Sequence, residues 1–122
     1  MALIELQLFA LDSPEPERLG RFYADLLGWE VTRADDDWWE VTPPGGGVPL
    51  AIQWAREFTP PTWPDPAVPM QAHLDFTVDS YDEAEAHALS LGARKVEGDE
   101  EHPGFRVYLD PSGHPFCLCL RG

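Results

Sequence analysis

No apolar run in this chain of 122 residues approaches the roughly 20 needed to cross a bilayer as a helix. The N-terminus, "MALIELQLFALDSPEPERL", has neither a basic leading stretch nor a small-residue cleavage site. No signal peptide is therefore expected, and the expected location is the cytoplasm. Positive charge is scarce: 8 Lys and Arg stand against 22 Asp and Glu, a net charge of −14. Such a chain repels nucleic acid, whose phosphates require cationic side chains, and no basic cluster offers a local exception. Anionic membrane surfaces are disfavoured for the same reason. The charge keeps the chain soluble and could draw in a cationic small ligand, although a solvated acidic surface is the plainer reading. No serine sits in a G-x-S-x-G context, and no phosphate-binding loop is present. The only cysteines are Cys117 and Cys119. Two residues apart on one strand, their Cα atoms stand roughly 6.5–7 Å apart, at or past the edge of disulfide geometry. Reduced thiols fit better than a bridge.

What is present suffices for a packed interior: 43% of residues are hydrophobic and 11% aromatic. Ile4 to Leu11 is apolar-rich and reads as a strand. "DSPEPERLGRFYADLLGW" then carries a helix signal, with Asp12 or Ser13 as cap and Pro14 in the first turn. Leu19, Phe22, Tyr23, Leu26 and Leu27 form one apolar stripe, and Gly28 stops the helix. Strands are expected at Trp29–Ala34, Trp38–Thr42 and Val48–Trp54, separated by "ADDD" and "PPGGG" turns. Ala55 to Met70 holds prolines at 60, 61, 64, 66 and 69, so it cannot be regular structure and reads as a linker.

The second half repeats the plan. Ala72–Val78 alternates as a strand, and "SYDE" is a capping box in which Ser80 accepts from the Glu83 N–H and Glu83 reaches back. Ala84, Ala88 and Leu91 give a narrower stripe, ended by Gly92. Strands at Ala93–Glu97, Phe105–Asp110 and Pro115–Leu120 complete the set. "LLGWEV" ends one helix and "SLGARKV" the other, which marks an internal repeat. The expected fold class is α+β: two tandem βαβββ repeats forming curved mixed sheets around a cleft. Residues 1–122 form one domain, with repeat one at 3–54, linker 55–70 and repeat two at 71–121. Concave sites between repeated halves commonly take small ligands.

The stretches "ERLGRFYADLLGWEV", "HLDFTVDSYDEAEAHALSLGA" and "YLDPSGHPFCLCL" resemble the vicinal oxygen chelate superfamily, above all its small glyoxalase-like domains. That superfamily contains glyoxalase I, bleomycin-resistance proteins, fosfomycin-resistance enzymes and extradiol dioxygenases. With the repeat, the resemblance covers nearly the whole chain; it is specific for fold and weak for function. It implies up to four metal positions, which fall here on Leu8 (or Gln7), Gln53, His73 and Cys117. Leu8 cannot ligate, Gln53 is a weak neutral donor, and a Cys117 thiolate suits softer ions than family enzymes with carboxylates often hold. No complete metal site is expected, the candidates being His73, Cys117 and Gln53. No cofactor is expected, with a divalent metal as the alternative. The resemblance also implies a homodimer, with repeats packed within a chain or exchanged between chains.

The candidate ligand-binding residues are His73, Gln53, Cys117, Asp75, Trp54 and Tyr108. His73 lies on the strand face opposite Leu74, Phe76 and Val78. It reads as a ligand, base or pocket donor, or as a structural histidine partnered by Asp75 or a backbone carbonyl. Cys117 reads as small core or cleft filler, and Cys119 more so; reactivity needs a nearby cation, which His73 supplies only if the two strands meet. His114 reads as turn chemistry and His102 as solvated. Of the adjacent Trp38 and Trp39, one is expected in the helix-side core and the other on the cleft or a partner. Two functions follow, beside a third option of a diverged module with no small-molecule role. The first is a non-enzymatic protein sequestering an antibiotic-like or cationic small molecule. The second is a metal-dependent glyoxalase-type lyase or isomerase, whose metal would polarise a substrate oxygen.

Overall fold

A computed structural model of the chain describes residues 3–63, 65–96 and 104–121. Pro64, Glu97 and His102, which figure in the expectations above, lie outside the described residues. The chain divides into two compact units, Met1–Phe58 and Thr59–Gly122. Each carries one βαβββ module with its own four-stranded mixed sheet.

In the first unit β1 (Phe9–Ser13) leads into α1 (Pro16–Leu27), followed by β2 (Glu30–Ala34), β3 (Trp38–Thr42) and β4 (Leu50–Trp54). The sheet order is β1-β4-β3-β2, with β1 parallel to β4 and the other pairs antiparallel. The apolar stripe of α1 behaves as its spacing demands: Leu19, Phe22 and Tyr23 are buried. They face Trp39, Val41, Leu50 and Ile52, the alternate residues of β3 and β4 that point to the helix. Gly20 sits where α1 passes closest to the sheet. A Cβ there would stand 2.6 Å from the Trp39 ring, so only glycine fits. Gly28 closes the helix at φ 68°.

The second unit runs β5 (Leu74–Val78), α2 (Tyr81–Ser90), β6 (Arg94–Lys95), β7 (Phe105–Leu109) and β8 (Pro115–Leu120). Its order, β5-β8-β7-β6, repeats the first, again with a parallel β5–β8 pair. Ser80 Oγ accepts from the Glu83 N–H at 3.4 Å, the expected first half of the capping box. In the hairpin between β7 and β8, buried Asp110 accepts from the Ser112 and His114 N–H groups at 2.9 and 3.0 Å. His114 also accepts through its carbonyl from the Asp110 N–H at 2.9 Å, so its backbone is indeed turn chemistry.

Strands β3 and β8 have the expected bounds, while most others are shorter by a residue or more, ending where their partners end. Two expectations need correction. The first strand is Phe9–Ser13, not Ile4–Leu11: β4 offers partners only from Leu50, which pairs with Phe9. Upstream, Leu3, Ile4 and Leu6 are 100%, 87% and 67% exposed. Consequently α1 also begins later than expected. Glu15 is its N-cap, without a side-chain cap bond, and Pro16 rather than Pro14 holds the first turn. Ser13 Oγ instead accepts from the Glu15 N–H at 2.9 Å, bending the chain into the helix.

The proline-rich stretch is irregular, as its composition requires, yet from Thr59 onward it is packed into the second unit. Thr62 organises it: its N–H donates to the Val68 carbonyl at 2.9 Å, and its Oγ1 accepts from the Val68 N–H at 2.8 Å. Trp63 then packs against a cluster of Val96, Val107 and Cys117, on the sheet face turned away from α2.

Candidate functional site

Strand alternation gives each sheet a helix face and an open face. On the open face of the first unit, Trp38 pairs with Gln53 across β3–β4. The Trp38 Nε1–H donates to Glu40 Oε2 at 2.8 Å, and the Arg33 guanidinium stands 5.9 Å from the Trp38 ring centre. Arg33 is held there by Asp35 at 2.7 Å, a hydrogen bond that raises its pKa. The turn carrying these acids is tied to β4, because the Asp37 carbonyl accepts from the Trp54 N–H at 2.9 Å. The ends of β2, β3 and β4 thus border an open recess of about 450 Å³, lined by Arg33, Asp37, Trp38, Gln53 and Trp54. Asp37 and Trp54 also line a broader hollow with Asp35 and Asp36. The recess falls within the size range of small-molecule sites. Its chemistry is two indole rings, one amide, the Asp37 carboxylate and the Arg33 guanidinium, with Asp35 and Asp36 in the adjoining hollow. The Trp54 ring already carries a cation, the Arg56 guanidinium at 5.5 Å. Such a surface suits planar or cationic ligands.

A second group lies on the open face of the second unit. Asp75 is the cross-strand partner of Cys117 in the β5–β8 register, and His73 precedes Asp75 by two residues on the same face. His73 Nε2 stands 3.0 Å from Asp75 Oδ1. One ligand atom each from His73, Asp75 and Cys117 all lie within 4.8 Å of one another. The strands therefore do bring the imidazole to the thiol. Cys117 is only 8% exposed, against Val107, Val96 and Trp63. Neither cysteine is in a disulfide. Burial pushes the Cys119 thiol up, helped by the Asp75 charge.

The structure therefore places Gln53 and Trp54 in one recess and His73, Asp75 and Cys117 in one cluster. Tyr108 joins neither. It is fully buried on the helix face, stacked on Phe116, and its hydroxyl donates to Glu85 of α2 at 2.6 Å. That bond lowers the Glu85 pKa, with Lys95 and Arg106 adding to the effect. The parity was readable: the tight Asp110–Gly113 turn sets Tyr108 opposite Phe116, not Cys117. Sequence reasoning left Arg33 and Asp37 out of the site, and expected one of Trp38 and Trp39 on the cleft or a partner without choosing between them. The adjacent tryptophans were the signal, since alternation had to put one of them on the open face: Trp39 is 5% exposed in the core, and Trp38 faces the recess. No sequence signal placed Trp63 over Cys117.

The metal centre that the family resemblance implies does not fit these residues. Leu8 has no donor atom, and Gln53 offers only a neutral amide. Hard-ion chemistry of the glyoxalase type therefore lacks its ligand set here. Among the described residues, no helix is long and apolar enough to cross a membrane.

No curated protein matches the chain. Solved structures match over nearly its full length. A glyoxalase/bleomycin resistance protein/dioxygenase family enzyme from Burkholderia phytofirmans superposes with a TM-score of 0.72 at 15% identity, covering 96% of this chain and 98% of that one. TnmS3, an antibiotic binding protein from a Streptomyces species, gives 0.63 at 21% identity, covering 100% and 99%. The fosfomycin resistance protein FosX from Mesorhizobium loti gives 0.68 at 14% identity, covering 97% and 92%. At these identities the likeness is one of fold, and one fold hosts several functions. A model of the glyoxalase-like domain matches residues 8–119, and with the duplicated βαβββ modules this shows that the chain belongs to the glyoxalase-like domain family.

Proposed function

We propose that this chain binds and sequesters a small cationic or antibiotic-like molecule, without the family's full metal centre. The recess of Trp38, Gln53, Trp54 and Asp37 is the observation that carries the reading. It offers indole rings for stacking and the Asp37 carboxylate for a positive charge, with Arg33 in the lining neutralised by Asp35, and the net charge of −14 favours the approach of a cation. The fold neighbour described as antibiotic binding supports the ligand class by analogy. His73, kept at a family metal position, is what favours the lyase or isomerase alternative; Leu8 and Gln53 speak against it.

A thermal-shift panel of cationic glycopeptides and planar aromatic cations tests the reading. A ligand at one hundred times its Kd adds about 2.7 kcal/mol of stability, which raises Tm by several degrees in a domain of this size. At least one member is expected to do so; a panel without any shift overturns the proposal. The same reading includes a homodimer, in which a second copy covers some of the exposed Leu3, Ile4 and Leu6. Light scattering after size exclusion is expected to give twice the 13.7 kDa chain mass, and a mass of one chain refutes the dimer.

A further inference from the structure

We propose that the ligand of the first-unit recess is a planar zwitterion, with Asp37 taking its cation and Arg56 its carboxylate. This rests on the recess being the ligand site. Arg56 is the added element: it stands outside the lining of the recess, yet beside the Trp54 ring that forms one wall.

The charges that flank Trp54 carry the inference. Of the 8 Lys and Arg residues, six have a carboxylate at 2.7–3.8 Å. In a chain with 22 Asp and Glu that is the ordinary state of a cation. Arg56 departs from it. Among the described residues no carboxylate lies within ion-pair distance of it, and its guanidinium rests on the Trp54 ring at 5.5 Å. Asp37 is its counterpart. The Asp37 main chain is fixed, since its carbonyl accepts from the Trp54 N–H at 2.9 Å. The Asp37 carboxylate makes no salt bridge or hydrogen bond to a described residue, because nearby Arg33 is already held by Asp35 at 2.7 Å. One exposed anion and one exposed cation thus adjoin the same indole without meeting each other.

A ligand with both charges satisfies both groups. An exposed cation–π contact is weak, so Arg56 leaves the ring readily for a carboxylate, to which a guanidinium donates two parallel hydrogen bonds. The indole is then free to stack on a flat ring. Asp37 takes the ammonium group. A purely cationic ligand suits Asp37 but competes with Arg56 for the Trp54 ring and is repelled by its charge. A purely anionic ligand meets Asp35, Asp36 and Asp37 at the recess and its adjoining hollow, and a net charge of −14 beyond them. The zwitterion avoids both conflicts.

Calorimetric titration of the intact protein with two probes tests this. One is a quinoline with a carboxylate on one ring and a tertiary amine on the other. The second is its methyl ester, a cation of nearly the same shape. The net charge of −14 by itself favours the ester, so a preference for the zwitterion requires a local cation. The wild-type protein is expected to bind the zwitterion about fivefold more tightly, the upper range for an exposed ion pair. R56Q is expected to erase that preference, and D37N to weaken both probes about threefold. R94Q removes another arginine without an ion pair among the described residues, on β6 of the second unit; it controls for net charge and is expected to keep the preference. Equal or tighter binding of the ester by the wild-type protein overturns the proposal and leaves the recess as a cation site. A preference that survives R56Q or is lost in R94Q, or unchanged affinities in D37N, equally overturns it. Binding of neither probe overturns the zwitterion and the recess together.

Discussion

Trp39→Ala is expected to cost about 3–5 kcal/mol of folding stability, the usual range for removing a buried tryptophan. The ring is 5% exposed and fills the gap left by Gly20 on α1, where no side chain can follow it. Arg21 lies over the ring at 5.1 Å and would lose its partner too. Alanine at position 39 therefore leaves a cavity between helix and sheet, and neither wall can collapse far: α1 is pinned by Leu19 and Tyr23, and β3 by pairing on both edges. Trp38→Ala is the control. That ring is half-buried on the open face, and its loss is expected to cost on the order of 1 kcal/mol, mainly the hydrogen bond to Glu40. Urea unfolding of the two variants measures the difference. Equal losses would mean that the two neighbours do not occupy opposite faces.

Asp110→Ala is expected to cost about 2–4 kcal/mol, from charge-assisted hydrogen bonds lost and N–H groups left without an acceptor. Asp110 is fully buried, and its carboxylate holds the Ser112 and His114 N–H groups. Those bonds close the hairpin that registers β7 against β8, and hence place Cys117 opposite Val107. Asp110→Asn keeps an acceptor oxygen and is expected to lose about half as much. Calorimetric melting of both variants checks this ordering; an asparagine variant as damaged as the alanine one would assign the effect to charge rather than to the turn bonds.

The modular fold was legible because its signals are local. The α1 stripe, the glycine that ends it, the Ser80 cap and the Asp-Pro-Ser-Gly turn each depend on residues within a few positions of one another. The first strand was misjudged for the opposite reason. Leu3 to Leu8 are as apolar as a strand should be, but strand formation depends on a partner, and β4 begins only at Leu50. The proline-rich stretch shows the same limit: composition forbids regular structure there but does not say what Trp63 touches. The candidate sites were half legible. Alternation put His73 and Asp75 on one face, while their meeting with Cys117 depended on the register of a parallel pair joined through a long crossover. Tyr108, also a candidate, lies one residue of parity from the open face, buried opposite Phe116.

The central claim is that the first-unit recess binds a planar or cationic molecule through its tryptophans. Fluorescence titration of the intact protein with a planar aromatic cation, alongside Trp54→Ala, tests it most directly. Saturable binding by the wild-type protein and a roughly tenfold weakening in the variant are predicted, matching the loss of one cation–π contact. No saturable binding, or equal affinity in the two proteins, would contradict it.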